Sequence, residues 1–208
     1  MKNLTVLENP LVKRDVTILR DKTTDSDGFR MALNRVSYAL AIEIGKTFNT
    51  DEYEVETPLE KTKGFKLNKQ VVLVPVLRAG LSMVSSFLQM IPDAKVGHIG
   101  LQRDEKTLEP VDYYYKTPKK LESSITILLD PMLATGGSAV ASFNYLKDKG
   151  ANDCVLACLI SAPEGVAKMN KEHATVPIFT AAIDRQLNEV GYILPGLGDA
   201  GDRTFGTI

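Results

Sequence analysis

From about residue 70 onward, apolar residues arrive in short unbroken runs, and most runs are followed by a polar turn and a stretch of helical spacing. Runs near 71–76, 96–102, 124–129, 154–160 and 176–182 predict strands, because a few consecutive apolar residues bounded by turn residues suit a strand buried on both faces. Between them, 80–90, 138–149 and 163–172 repeat their apolar positions at the interval of one helix face. This alternation predicts an α/β fold, a parallel twisted sheet flanked by helices. Residues 1–60 break the rhythm: an amphipathic helix is expected from about Ser26 to Phe48, capped by Asp25 or Ser26, with a strand over Tyr53–Leu59. Five of the fifteen glycines fall within 191–208, a density that predicts successive tight turns and no regular helix. The 208 residues therefore read as one domain with a helical extension (1–60), a core (61–190) and a Gly-rich tail (191–208).

Chemistry concentrates where the run Ile125–Leu129 ends. Asp130-Pro131-Met132-Leu133-Ala134-Thr135-Gly136-Gly137-Ser138 reads as a phosphate loop between a buried strand and the helix 138–149, with Gly150 as the stop. Gly136 and Gly137 allow positive φ and close approach of the backbone, and the Thr135 and Ser138 hydroxyls add donors beside the exposed N–H groups. Asp130 would repel phosphate, so it needs a different partner, and a sugar diol that donates two hydrogen bonds suits it. A nucleoside-triphosphatase loop would place a lysine after its glycines, and none stands there.

Other segments add anchors. Arg78 follows the run Val71–Val76 and precedes Gly80 at the start of a helix, a position suited to gripping an anion. Arg103 ends the run 96–102, beside Asp104 and Glu105. Glu109–Thr117 carries three consecutive tyrosines; alternation sends Tyr113 and Tyr115 to one face and Tyr114 to the other, as in a projecting hairpin. Cys154 and Cys158 lie on one face of one strand, roughly 13 Å apart at about 3.3 Å per residue, too far for a disulfide, and read as buried thiols. His98 and His173 stand too isolated for a metal site. The near-balanced charge, 25 basic against 26 acidic residues, gives no footprint for nucleic acid, and no run is long enough to span a membrane. Without a secretory core near the N-terminus, a cytoplasmic location is the expectation.

The segment Ile125–Ser138 resembles the phosphoribosyl diphosphate (PRPP) motif of the type I phosphoribosyltransferases, and Pro131 in its second acidic position makes it similar to the uracil phosphoribosyltransferases. Leu77-Arg78-Ala79-Gly80 resembles the family's pyrophosphate loop, Arg103 its second PRPP-contacting arginine, and 109–117 its flexible loop over PRPP. The tail, with Gly198-Asp199-Ala200-Gly201-Asp202-Arg203, is similar to the uracil-recognition loop, where Ile193 would pack on the ring and Gly198, Asp199 and Ala200 would supply the polar edge. The resemblance implies ribosyl transfer from PRPP to N1 of uracil, giving UMP and pyrophosphate. In it Arg78, Arg103, Asp130 and Asp199 serve catalysis, while residues 130–138 hold PRPP with Arg78, Arg103 and Asp199. It further implies Mg2+ reaching the protein through PRPP and water, a homo-oligomer packed through the N-terminal part, and GTP as an effector in some relatives. Two alternatives stay open: transfer to another base, such as a purine, and a nucleotide-sensing regulator on the same fold without catalysis.

Overall fold

The computed structural model describes residues 3–103 and 110–207, with the backbone alone for 101–103 and 110–113. Strand β1 (Leu4–Val6) precedes helices α1 (Pro10–Arg20) and α2 (Ser26–Gly45) and the hairpin β2 (Thr50–Glu56) and β3 (Lys61–Leu67). The core follows as β4 (Gln70–Leu77), α3 (Leu81–Met90), β5 (Lys95–Val96), β6 (His98–Arg103), β7 (Pro110–Lys116), β8 (Ser124–Leu129), β9 (Met132–Leu133), α4 (Gly137–Asp148), β10 (Asp153–Ser161), α5 (Pro163–Glu172) and β11 (Ile178–Ile183). Strand β12 (Gln186–Leu187) leads to the tail, which holds β13 (Ile193–Leu194) and α6 (Ala200–Phe205).

The main sheet runs β1-β11-β10-β8-β4-β6-β7, with β5 beside β4 and β9 beside β10. Its pairings are parallel except for the antiparallel β6–β7 edge. Period-two alternation splits the buried apolar residues between two layers. Val71, Leu73, Ile125, Ile127 and Leu129 face a layer shared with Leu19, Phe29, Leu40 and Phe87 of α1, α2 and α3. Val72, Val74, Val76, Leu128, Cys154 and Cys158 face Phe143, Leu146, Val166 and Met169 of α4 and α5. Burial on both faces is why these strands read as continuous apolar runs.

Strand order reverses between β4 and β8, whose C-terminal ends lie side by side with Pro75 opposite Leu129. The chain leaves β4 through α3 on one face and β8 through α4 on the other, so a crevice opens beyond these two strand ends. None of the described helices is long and apolar enough to cross a membrane.

Several expectations are corrected. A regular helix does form in the tail, α6, because only Gly201 interrupts Ala200–Phe205; Asp199 caps its start and Gly206 ends it in the left-handed conformation. Tyr53–Leu59 is not one strand: the chain turns at Thr57–Glu60, where the Thr57 N–H donates to the Glu60 carbonyl at 2.9 Å. The resulting hairpin is laced by Lys61–Glu54 and Lys63–Glu52 ion pairs, with only Tyr53 and Val55 of β2 and Phe65 and Leu67 of β3 alternating as apolar positions among the charges. The extension also contains α1 and the edge strand β1, neither anticipated from periodicity. Helix α2 stops at Gly45 and continues to Phe48 only as a tightened turn. Asp25 caps it, accepting from the Gly28 N–H at 2.7 Å. Gly137 sits in the first helical turn of α4; Gly136 alone of the loop's two glycines takes positive φ (+76°).

Candidate active site

Beyond the ends of β4 and β8 lies an open cleft of about 390 Å³, within the range of small-ligand sites. One wall is the turn after β4, Leu77 to Ala79, followed by Gly80. This turn is pressed onto the sheet: a Cβ on Gly80 would stand 2.3 Å from the Leu129 carbonyl oxygen and 2.7 Å from Val76 backbone atoms. The tight seat presents the half-exposed Arg78 side chain to the cleft.

The second wall is the Asp130–Ser138 loop. Asp130, Met132, Ala134 and Ser138 line the cleft. Pro131 and Leu133 are buried beneath it, their carbonyls accepting from Leu159 and Ile160 and from Ala162 respectively, so they fasten the loop to β10. Thr135 and Gly137 are half-buried, and the Gly137 N–H points to the Thr135 hydroxyl at 3.4 Å. Gly136, at φ +76°, swings the chain into α4, whose first-turn N–H groups lack carbonyl partners one turn earlier in the helix. Those amides and the helix dipole make this end a seat for an anion. Helix α5 braces the loop from behind: a Cβ on Gly165 would lie 2.4 Å from the Ala134 carbonyl oxygen. Asp130 holds the start of the turn, its carboxylate accepting from the Met132 N–H at 3.3 Å.

The tail forms the third wall, with Gly191, Tyr192, Ile193, Gly198, Asp199, Ala200 and Gly201 lining the cleft. Ile193 is 4% exposed and gives an apolar floor, while Gly198 and Asp199 are exposed at the rim. Asp199 accepts from the Asp202 N–H at 2.9 Å as the α6 cap. The tail wall meets Arg78, which donates to the Asp202 carboxylate at 2.6 Å and to the Thr207 hydroxyl at 3.2 Å and lies over the Phe205 ring. The Thr207 hydroxyl and Arg78 hold the Asp202 carboxyl below its ordinary range.

Predicted residues 78, 130, 132, 134, 138, 193 and 198–200 thus surround one cleft. Arg103 ends β6, beside β4; its side chain, and Asp104, Glu105 and Glu109, lie outside the described residues. In the tyrosine segment, Tyr114 is exposed and Tyr115 stacks on Tyr145 of α4 with ring centroids 3.8 Å apart, so β7 is an edge strand anchored to the second layer. Both cysteines are unpaired and buried, and burial pushes Cys154 up to about 11 and Cys158 to about 12. Sequence reasoning missed Tyr192 at the cleft and the polar residues beneath the tail, Arg20 and Asp184, whose partners lie far along the chain.

A family profile of uracil phosphoribosyltransferase matches residues 6–207. The uracil phosphoribosyltransferase of Dictyoglomus thermophilum is 53% identical over 203 residues, covering 97% of this chain and 98% of its own. That of Acholeplasma laidlawii is 51% identical over 207 residues, covering 100% of both chains. A solved structure from Aquifex aeolicus, 37% identical, matches with a TM-score of 0.92 over 97% of each chain. An adenine phosphoribosyl transferase from Trypanosoma brucei shares the fold alone, at 12% identity and a TM-score of 0.61 over 88% of this chain and 84% of that one. With a phosphate loop and an arginine turn at the strand-order reversal, and a tail closing the same cleft, the chain belongs to the uracil phosphoribosyltransferase family.

Proposed function

We propose that the cleft transfers the 5-phosphoribosyl group of PRPP to N1 of uracil, releasing pyrophosphate and forming UMP in pyrimidine salvage. The observation that carries this reading is the convergence of an anion seat, a carboxylate and a glycine-rich tail on one crevice. In the reaction the bond from C1′ to N1 forms, the bond from C1′ to the diphosphate oxygen breaks, and N1 loses its proton. Positive charge builds on the sugar and negative charge on the leaving group, so positioning and electrostatics supply the catalysis.

The chain's groups divide this work. The loop Thr135–Ser138 and the α4 amides anchor the 5-phosphate, a handle remote from the reacting carbon. Asp130 accepts from the ribose hydroxyls and sets its charge beneath the developing cation. Arg78, with Arg103 from the neighbouring strand, receives the diphosphate; Arg78 must trade Asp202 for it, one carboxylate exchanged for a more highly charged anion. Uracil lies on Ile193, with the Gly198–Ala200 backbone reading its edge. Asp199 orients a water or assists loss of the N1 proton.

The Asp130 and Asp199 carboxylates are oxygen donors on one cleft, and no group of three or more metal-ligating side chains occurs among the described residues. This set fits Mg2+ carried by PRPP and water rather than caged by protein. When bound, the ion neutralises diphosphate charge. The relationship also makes GTP a candidate effector and a cytoplasmic homo-oligomer the working form. Exposed apolar residues on the extension, Leu11, Met31 and Leu59 among them, support subunit packing there.

The test is a product assay with radiolabelled uracil, PRPP and magnesium, with adenine and hypoxanthine in parallel and GTP present or absent. Labelled UMP formed only with uracil is expected. Transfer to a purine in its place, or no nucleotide from any base, overturns the reading.

A further inference from the structure

We infer that Arg20 and Asp184 are positioning residues for the uracil side of the site, fixing the tail from beneath while leaving the PRPP loops untouched. The inference rests on the assignment of the base to the tail.

Asp184 follows the last residue of β11 and is buried, with its N–H donating to the Ser161 carbonyl at 2.8 Å. One carboxylate oxygen accepts from the Gly196 N–H at 2.9 Å and from the Arg20 guanidinium at 2.9 Å; the other accepts a second, short bond from the same guanidinium. Arg20, the last residue of α1, also donates to the Gly196 carbonyl at 3.0 Å. Both backbone groups of Gly196 therefore close a ring with one ion pair whose carboxylate is buried and whose guanidinium is half-buried. Gly196 ends the turn that carries Ile193: it has φ +68°, and a Cβ on it would stand 2.2 Å from the Ile193 carbonyl oxygen. The turn thus cannot drift without breaking the ring.

The chemistry suits a positioning role. A part-buried, hydrogen-bonded bidentate pair holds its partners in one geometry, and removing either member leaves the other's charge unmatched. None of Arg20, Asp184 and Gly196 lines the cleft, so the pair acts on substrate only through Ile193 and the chain beyond it. By contrast, the Asp130 loop is tied to β10 and α5, and the backbone of the Arg78 turn to β4 and β8, while the Arg78 side chain gives up its bond to Asp202 of the tail when the diphosphate binds. Loosening the pair should let the tail shift by a fraction of an ångström while those two walls stay in place, and small misplacements of this order cost a large factor in productive binding.

Asp184→Asn and Arg20→Ala are compared with the unaltered chain by steady-state kinetics in both substrates and by PRPP calorimetry. The expected result is a rise of at least tenfold in KM for uracil, with the Kd for PRPP within a factor of two. Arg20→Lys should recover only part of the loss. In Arg20→Ala, millimolar guanidinium should restore uracil affinity, a response that a merely weakened fold would not give. Equal shifts in both substrates, no shift in either, or no response to guanidinium overturns the inference. Should Asp184→Asn not fold, Arg20→Ala decides alone, since its side chain is 26% exposed and opens no sealed core. Failure of the unaltered chain to make UMP would strike the proposed function instead.

Discussion

Asp130 is one carboxylate at the end of a strand buried on both faces, and its place in the cleft was readable because everything that puts it there is local: the run before it and the glycines after it. Asp130→Asn should lower turnover more than tenfold with an unchanged melting curve, because the amide keeps the shape of the turn and loses the charge facing the sugar; steady-state rates and thermal denaturation check both parts. Gly198→Val should abolish uracil binding and spare PRPP binding, since a branched residue cannot hold φ +79° at the rim without moving the tail; calorimetry with each ligand separates the two. The thiols give a third residue-scale test. Buried and pushed up to about 11 and 12, Cys154 and Cys158 should both stay silent toward a thiol reagent in the native protein at pH 8 and react after denaturation.

Between elements, the phosphate loop depends on α5 as much as on its own glycines. Gly165→Ala would drive a methyl into the Ala134 and Leu133 carbonyls, at 2.4 and 2.8 Å, so α5 must retreat. The expected loss is about 2 kcal/mol of stability together with a severalfold fall in PRPP affinity, from overpacking against a rigid turn. His173 caps the end of the same helix and is buried against Lys147 and Val140 of α4. The Lys147 ammonium can only donate to Nδ1 at 3.1 Å, so Nε2 carries the proton toward the Val140 carbonyl at 3.3 Å and the ring is neutral. Burial, helped by that ammonium, lowers the His173 pKa, while the bond to Val140 works the other way. A group whose folded pKa lies below its unfolded value binds more protons unfolded, so its contribution is full above about pH 6.5 and lost as pH falls. Denaturant midpoints measured from pH 7.5 to 5.5 should fall less steeply for His173→Gln than for the unaltered chain. At this scale the strand and helix succession of the core was legible from apolar runs. The β2–β3 hairpin was legible only as a single strand set too far along the chain, because its order comes largely from cross-strand charges and a turn, and α1 was obscured by the charged run Lys13-Arg14-Asp15 between Val12 and Val16.

Over the whole molecule, the pieces that sequence reasoning treated separately prove to be joined. The extension was expected to serve a partner subunit, yet it also forms the bed of the tail. Arg203 donates to the carbonyls of Leu197, Asp21 and Thr24 at 2.8, 2.6 and 3.3 Å, makes a short bond to Leu19, and lies over the Phe29 ring at 4.5 Å. Arg30 adds a bond to the Thr204 carbonyl at 2.9 Å. Such pairings carry no local signature: Arg20 meets Gly196 across 176 residues and Arg203 meets Leu19 across 184. Contacts of that separation cost the most chain entropy to close and need the intervening sheet as scaffold. A refolding chain should therefore recover its PRPP affinity before its uracil affinity, passing through a stage in which the donor sugar has a home and the acceptor base has none.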